Sequence, residues 1–546
     1  MYGQISSLWN QIKVEREAVK GVEKLREPRV LSYGAIVVRI FCGSFLFLVL
    51  LTAAKAEESG VAGSSEKEFV VMTYNVENLF DVDRVAKFDD YIEIPDDPNS
   101  YGPAKLLGKL RGIGKVLGSI QGGKGPEILL LNELEIDFTP ESKVDNYDEF
   151  LAKYAGTTAE KMLTTELTDE LRGLPSEAWL IKYLEDIGLK GYRPAVGRDY
   201  VDPAGRDNIA QKNVVLSRWP ILEHQTHETP AARGILEAKI DAQGKPLTVL
   251  VNHWKSQANN PAAENQRLGN ATTARQRLDA LLKENPAAEV VVAGDFNNHY
   301  NAGQRYGYLT KTAIQDVLGS QGDKEAMGKT DGPVLYNLWY EMPVEERYSD
   351  EFGGEWGTLM QMLVTRGLLD GQNLEYVDGS FRQVFVDGVN RQPPLGLPWR
   401  WTNYGAGYGT SDHFPIVARF RVQPSAEPRT LSNPPGGVQT PKEPLLVGFD
   451  KLDRAKLRNA SVLKDADGEA MARAMGEIFL VEGTLSKVRP LEVELDGQPY
   501  LLHSFDKNLR DVLRLKEKGK AITFVGELGL FKGKLQFVVH DPSWIK

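Results

Sequence analysis

The chain has 546 residues, 42% of them hydrophobic and 26% charged, with a formal net charge of −10. That length exceeds one ordinary core, so two or more domains are expected, and the apolar content excludes a disordered chain. The acidic balance excludes the broad positive field of a high-affinity duplex-DNA binder, yet leaves a nuclease open, because bound divalent cations offset local negative charge.

Ile40 to Ala54 is an apolar run that follows Arg39 and ends in Ala54-Lys55-Ala56. A basic flank, about fifteen apolar residues and an Ala-x-Ala ending match a secretory signal, with cleavage expected after Ala56. The mature protein would then be secreted or periplasmic and begin at Glu57. An uncleaved membrane anchor is the alternative, although a spanning helix wants about twenty apolar residues. Residues 1–37 are charged and mixed, so a translation start near Val37 or Val38 is expected. The single cysteine, Cys42, lies inside this run and leaves the mature protein without a disulfide.

After a polar spacer (57–68), Phe69-Val70-Val71-Met72-Thr73-Tyr74 reads as a strand that ends in Asn75, Glu77 and Asn78. Lys105 to Ile120 has helical apolar spacing. Ile128-Leu129-Leu130-Leu131 is a second buried strand, and Glu133 at its end is either a hard-cation ligand or a solvated edge charge. Residues 140–190 read as helical and charged, with packing and no chemistry. Strands are expected at 191–196, at 212–218 and from Arg233. Leu247 to Val251 is a strong β run ending in Asn252-His253, and Gln266 to Asn285 reads as a helix. Val290-Val291-Val292-Ala293-Gly294 is a further buried strand, after which Asp295 and Asn297 share one face while Phe296 points inward. A carboxylate and a carboxamide there suit proton transfer and phosphate holding, or form an ordinary Asx turn. Trp356 to Val364 is expected to be one strand, and Asp412-His413 precedes another at Ile416-Val417-Ala418.

Five polar strand ends in one chain make five separate turns an uneconomical reading. Thr73-Tyr74-Asn75-Val76-Glu77-Asn78, Asn132-Glu133, Val251-Asn252-His253, Gly294-Asp295-Phe296-Asn297 and Ser411-Asp412-His413 together resemble the endonuclease/exonuclease/phosphatase superfamily, the DNase I-like metal-dependent phosphoesterases. The resemblance implies an α/β fold: a four-layered sandwich of two facing mixed sheets flanked by helices. It implies Mg²⁺ (or Mn²⁺/Ca²⁺) held by Asn75, Glu133 and Asp412. His253, Asp295, Asn297 and His413 become the catalytic residues: Asp295 and His413 activate or orient water, Asn297 holds the phosphate, and His253 stabilises the phosphate or protonates the leaving oxygen. Met360 stands where the family usually carries the Asp that orients the catalytic His. Its absence implies lower activity or a substitute acid, with Met360→Asp expected to raise turnover.

The expected domains are 69–421 for this unit, a Pro-rich linker at 422–445 and a small barrel at 446–546. Strands near 476–486, 491–495, 500–502, 522–527 and 534–539, with a helix at 508–516, resemble an OB fold. An exported phosphodiesterase with a nucleic acid substrate is the expected function. A phospholipid or phosphosugar phosphoesterase, or a weakly active nucleic-acid-binding protein, is the alternative.

Overall fold

Two seven-stranded mixed sheets face each other, and a closed five-stranded barrel follows them. The computed structural model describes residues 67–545 apart from 96, 98–99, 140–142, 200–208, 231, 330, 406, 423–428, 436–437 and 448–453. The proposed signal, the start near Val37 and the spacer up to residue 66 therefore lie outside the described residues.

In chain order the main elements begin with β1 (Lys67–Leu79), α1 (Pro103–Gly118), β2 (Ile128–Glu135), α2 (Ser176–Asp186), β3 (Arg193–Val196) and β4 (Gln211–Ser217). There follow β5 (Ile221–His227), β6 (Ile235–Asp241), β7 (Pro246–His253), α3 (Pro261–Glu284), β8 (Val290–Asp295), β9 (Met360–Thr365), β10 (Leu374–Tyr376) and β11 (Ile416–Val422). The first sheet runs β10-β11-β1-β2-β4-β3, with Arg382–Gln383 paired on β11; the second runs β5-β6-β7-β8-β9 and ends in Leu335–Asn337 and Ser320–Gln321.

One crossover recurs in both sheets. β1 pairs parallel with β2 and β7 pairs parallel with β8; parallel neighbours need a long connection, which α1 supplies in one case and α3 in the other. Each βαβ unit therefore delivers two strand ends side by side. Asn75 pairs with Asn132, and His253 pairs with Asp295.

Alternation decides what fills the space between the sheets. Phe69 and Val71 of β1, Ile128 and Leu130 of β2, Val249 and Val251 of β7, Val291 and Ala293 of β8, and Met360 and Met362 of β9 form one buried cluster. The opposite face of the first sheet, with Met72, Leu129 and Leu131, packs on Leu106, Leu110 and Ile113 of α1 and Trp179 and Leu180 of α2. The outer face of the second sheet, with Leu250, Val290 and Val292, packs on Ala271, Ala274 and Leu278 of α3. The result is helix, sheet, sheet, helix. Each fully buried Leu, Ile or Phe contributes about 1.5–3 kcal/mol relative to exposure, so these three clusters are the main hold on the strand ends.

The elements depart from the expected boundaries in three informative places. α3 starts at Pro261 and not at Gln266, because the Asn260 side chain accepts from Ala262 N and Pro261 occupies the first turn. The strand expected over Trp356 to Val364 is two: Glu355–Gly357 pairs with Asp350–Phe352 and with Leu445–Leu446, while β9 lies between β8 and Leu335–Asn337. The break falls at Thr358 and Leu359, whose N–H groups donate to His299 Nδ1 and Asp350 Oδ1 instead of to a neighbouring strand. β5 was not expected. It is a polar, mostly exposed edge strand, so no apolar period marks it.

The C-terminal barrel comprises β12 (Ile478–Val488), β13 (Leu491–Leu495), β14 (Gln498–Ser504), α4 (Lys507–Arg514), β15 (Ala521–Phe531) and β16 (Lys534–Val539). Its strands run β12-β13-β14-β16-β15, and β15 closes back onto β12. Phe479, Val481, Val493, Leu502, Phe524 and Phe537 fill it, and Leu397 and Trp356 from the preceding part of the chain join the same cluster.

Candidate active site

Asp295 occupies the end of β8, 2% exposed. Gly294, at φ 132°, lets the strand turn there, and a Cβ at that position would lie 2.0 Å from Asn252 O. Asp295 N donates to Asn132 Oδ1 (2.9 Å), a bond that crosses from the second sheet to the first. Asn132 in turn donates to Asn213 Oδ1 (2.7 Å) and to Asn252 O (3.0 Å). Asn213 completes the ladder by donating to Gly234 O and Val251 O.

Both carboxylate oxygens of Asp295 are engaged. Oδ1 accepts from Asn297 N (2.8 Å), and Oδ2 accepts from Asn75 Nδ2 (3.0 Å) and Asn297 Nδ2 (3.2 Å). Asn75 Nδ2 also donates to Glu133 Oε1 (3.0 Å), so one carboxamide joins the two acids. His253 Nε2 lies 3.6 Å from Glu133 Oε1 and 3.6 Å from Asp295 Oδ2. Glu133, His253 and Asp295 present ligand atoms within 4.8 Å of one another, a group that can hold a metal ion. One buried acid, one partly buried acid and an imidazole nitrogen fit a divalent cation: the carboxylates suit Mg²⁺ or Mn²⁺, and the imidazole suits a transition metal such as Zn²⁺.

Of the expected ligands Asn75, Glu133 and Asp412, Glu133 lies in this group, while Asn75 and Asp412 stand beside it. Asn75 Oδ1 accepts from Glu77 N (2.9 Å), which turns the amide nitrogen toward the acids; as placed, Asn75 orients them. Asp412 shares His413 Nε2 with Asp295: its carboxylate lies 3.7 Å from that nitrogen and 3.2 Å from Arg400 Nη2. Asn297, expected to hold phosphate, spends its amide nitrogen on Trp254 O and Asp295.

The two histidines are electrostatically opposite. Burial, with Arg233 nearby, drives His253 well below its usual range, so it is neutral at pH 7. Burial also works against charge on His413, but Asp412, then Asp295, Asp350 and Glu133, outweigh it and raise its pKa to about 9. His413 is therefore a cation at neutral pH, 3.7 Å from Asp295 Oδ2. Burial raises the pKa of Glu133 and of Asp295, with Asp412 adding to both; a bound cation would relieve that cost.

Lys109, Asp350 and Arg400 escaped the sequence, and Glu77, read there as a polar strand end, was given no role. Lys109 Nζ donates to Glu77 O (2.7 Å) and Thr410 O (2.6 Å) and lies 4.9 Å from the Trp401 ring centre. Burial lowers its pKa to about 8. Its signal was a lysine set three residues after Leu106 on the apolar face of α1. Glu77 Oε2 accepts from Trp401 N (2.6 Å), and burial followed by Asp412 raises its pKa to about 8. Asp350 is buried, forms a β-bridge with His413, and accepts from Ser349 Oγ (2.8 Å) and Leu359 N (2.8 Å) on Oδ1. It supplies negative charge to His413 while Met360 is apolar and wholly buried. Arg400 had no sequence signal. Four of the polar strand-end residues hold left-handed backbone: Glu77 (φ 47°), Asn78 (65°), Glu133 (66°) and Asn297 (46°). Such conformations cost about 1–3 kcal/mol each and gather where a site over-determines its backbone.

Among solved structures, the chain is similar to TDP2 from Caenorhabditis elegans (13% identity, TM-score 0.35, covering 66% of this chain and 78% of that one). It is also similar to an endonuclease/exonuclease/phosphatase family protein from Leptotrichia buccalis C-1013-b (12%, TM-score 0.36, 64% and 98%) and to the human Nocturnin catalytic domain with bound sulfate anion (12%, TM-score 0.34, 66% and 97%). No curated protein matches it in sequence. Residues 212–421 match the model of the Endonuclease/Exonuclease/phosphatase family, a span that carries His253, Asp295, Asn297, Asp412 and His413 of the site.

Proposed function

We propose that the protein is an exported, divalent-metal-dependent phosphodiesterase that hydrolyses nucleic acid. The family match supports a phosphoesterase, and one observation carries the metal-dependent chemistry: Glu133, His253 and Asp295 converge within 4.8 Å beside a cationic His413. A cation held by Glu133 with Asp295 and His253 would polarise the phosphoryl oxygen and stabilise developing charge. Asp295, fixed by Asn75 and Asn297, accepts the proton of the attacking water. His413 carries a proton at neutral pH and neutralises the phosphate or protonates the leaving oxygen. Neutral His253 keeps an imidazole nitrogen available beside both acids. Asp412 holds His413 charged, and Asn75 sets the spacing of the carboxylates. The barrel, which we read as an OB-like module, would hold strands. Export rests on the apolar run before Ala56; no helix among the described residues is long and apolar enough to cross a membrane.

The test is a comparison of substrates. Plasmid, single-stranded DNA, RNA and a phospholipid are each incubated with the purified protein and Mg²⁺ or Mn²⁺, with and without chelator. Metal-dependent cleavage of nucleic acid, lost in Asp295→Ala and His253→Ala, is expected. Hydrolysis of lipid alone would overturn the reading.

A further inference from the structure

The barrel does not stand away from the catalytic residues. A narrow cleft runs between them, lined by Asp412 and Arg400 at the site, Glu351 and Phe352 beside it, and Phe505 and His540 from the barrel. His540 lines it and is itself buried. Its Nδ1 lies 3.2 Å from Glu351 Oε1 and its Nε2 lies 2.7 Å from Glu527 Oε2, so one imidazole joins the sandwich to β15.

At the solvent side the lining changes character. Phe352 is 54% exposed and Phe505 is 41% exposed, yet their rings are in contact, 4.7 Å apart between centres. The Phe505 ring centre also lies 5.3 Å from that of His503, edge to face, and 6.4 Å from that of His540. Two rings packed on each other and left half in water contribute little to the core. Beside them Arg400 keeps about half of its side chain in solvent (51%), while one of its nitrogens contacts Asp412. An aromatic surface next to a guanidinium, both on a cleft whose lining reaches Asp412, itself 3.7 Å from His413 Nε2, has the chemistry to receive a base and its phosphate.

Resting on the nuclease reading above, we propose that Phe352 and Phe505 form a stacking platform for a base next to the scissile phosphodiester, with Arg400 contacting the backbone. The barrel thereby completes the substrate cleft as well as extending it. Stacking on aromatic rings needs no sequence, so the platform selects unpaired strands over duplex and tolerates any base.

The experiment uses the full chain carrying Asp295→Asn, so that substrate survives, and measures Kd by fluorescence anisotropy. The probes are a single-stranded oligonucleotide and the same backbone with abasic residues throughout. Phe505→Ala should weaken the base-bearing oligonucleotide about tenfold or more, leave the abasic one unchanged, and be rescued by Phe505→Trp. An equal loss on both probes, or no loss on either, overturns the platform. If the unmutated protein with metal hydrolyses lipid and no nucleic acid, the nuclease reading falls and the platform falls with it; that outcome differs from nucleic acid cleavage that ignores Phe505.

Discussion

Asp295 has both carboxylate oxygens engaged, by Asn297 and by the amide of Asn75. Asp295→Asn keeps the size of the side chain while removing its proton-accepting charge. We expect kcat to fall by about 10²–10⁴ with the circular dichroism spectrum unchanged. Asn75→Ala should instead weaken Mn²⁺ binding by about 10–100-fold, read by calorimetry, because the carboxamide orients the acids from outside the ligand group. Met360 behaves differently from either. It lies directly opposite Asp295 in the β8–β9 pairing and belongs to the apolar cluster between the sheets. The increase in turnover expected for Met360→Asp from family resemblance is therefore reversed: a new acid there is buried among apolar side chains and beside Asp295. We expect a loss of about 3–5 kcal/mol in urea unfolding and lower turnover. Residue identities at the strand ends were legible because each polar side chain interrupts an apolar run. Which atom of Asn75 faces the acids was not, since it depends on the N–H of Glu77, which has no sequence signature.

The strand pair β7–β8 is the element on which the site depends most. Gly294 is required twice, by its φ of 132° and by the 2.0 Å that a Cβ would leave to Asn252 O. Gly294→Ala should cost about 1–3 kcal/mol from backbone strain alone, with more from the displaced strand, and should lower activity beyond the loss in stability. Thermal unfolding and turnover measured on the same samples separate the two effects. The long apolar strands and α1 were readable from periodicity, because burial on known faces imposes it. β5 and the division of Trp356 to Val364 were not. An edge strand needs no apolar face, and a break between sheets is set by partners such as His299 and Asp350 that are distant in the chain.

For the whole molecule, the joint between barrel and sandwich is a titratable one. Burial opposes charge on His540, but Glu351 and Glu527 overcome it and raise its pKa to about 10. A pKa raised above the unfolded value of about 6.5 contributes stability that is fully present below that pH and is lost as pH rises toward about 10. Melting temperature should therefore fall across this window more steeply in the native chain than in His540→Gln; parallel curves would show that the joint is held by packing alone. The barrel was anticipated from its strand spacing, whereas its apposition to the catalytic cleft depends on contacts between residues far apart in sequence.

The bond from Asp295 N to Asn132 Oδ1 spans the gap between the sheets. It works as a calliper. The Asp295 carboxylate registers how far apart the two sheets stand, through a chain of hydrogen-bonded amides. Core packing tens of residues away is thereby coupled to the site, and a swollen core would pull Asp295 from its partners while the strands were still paired.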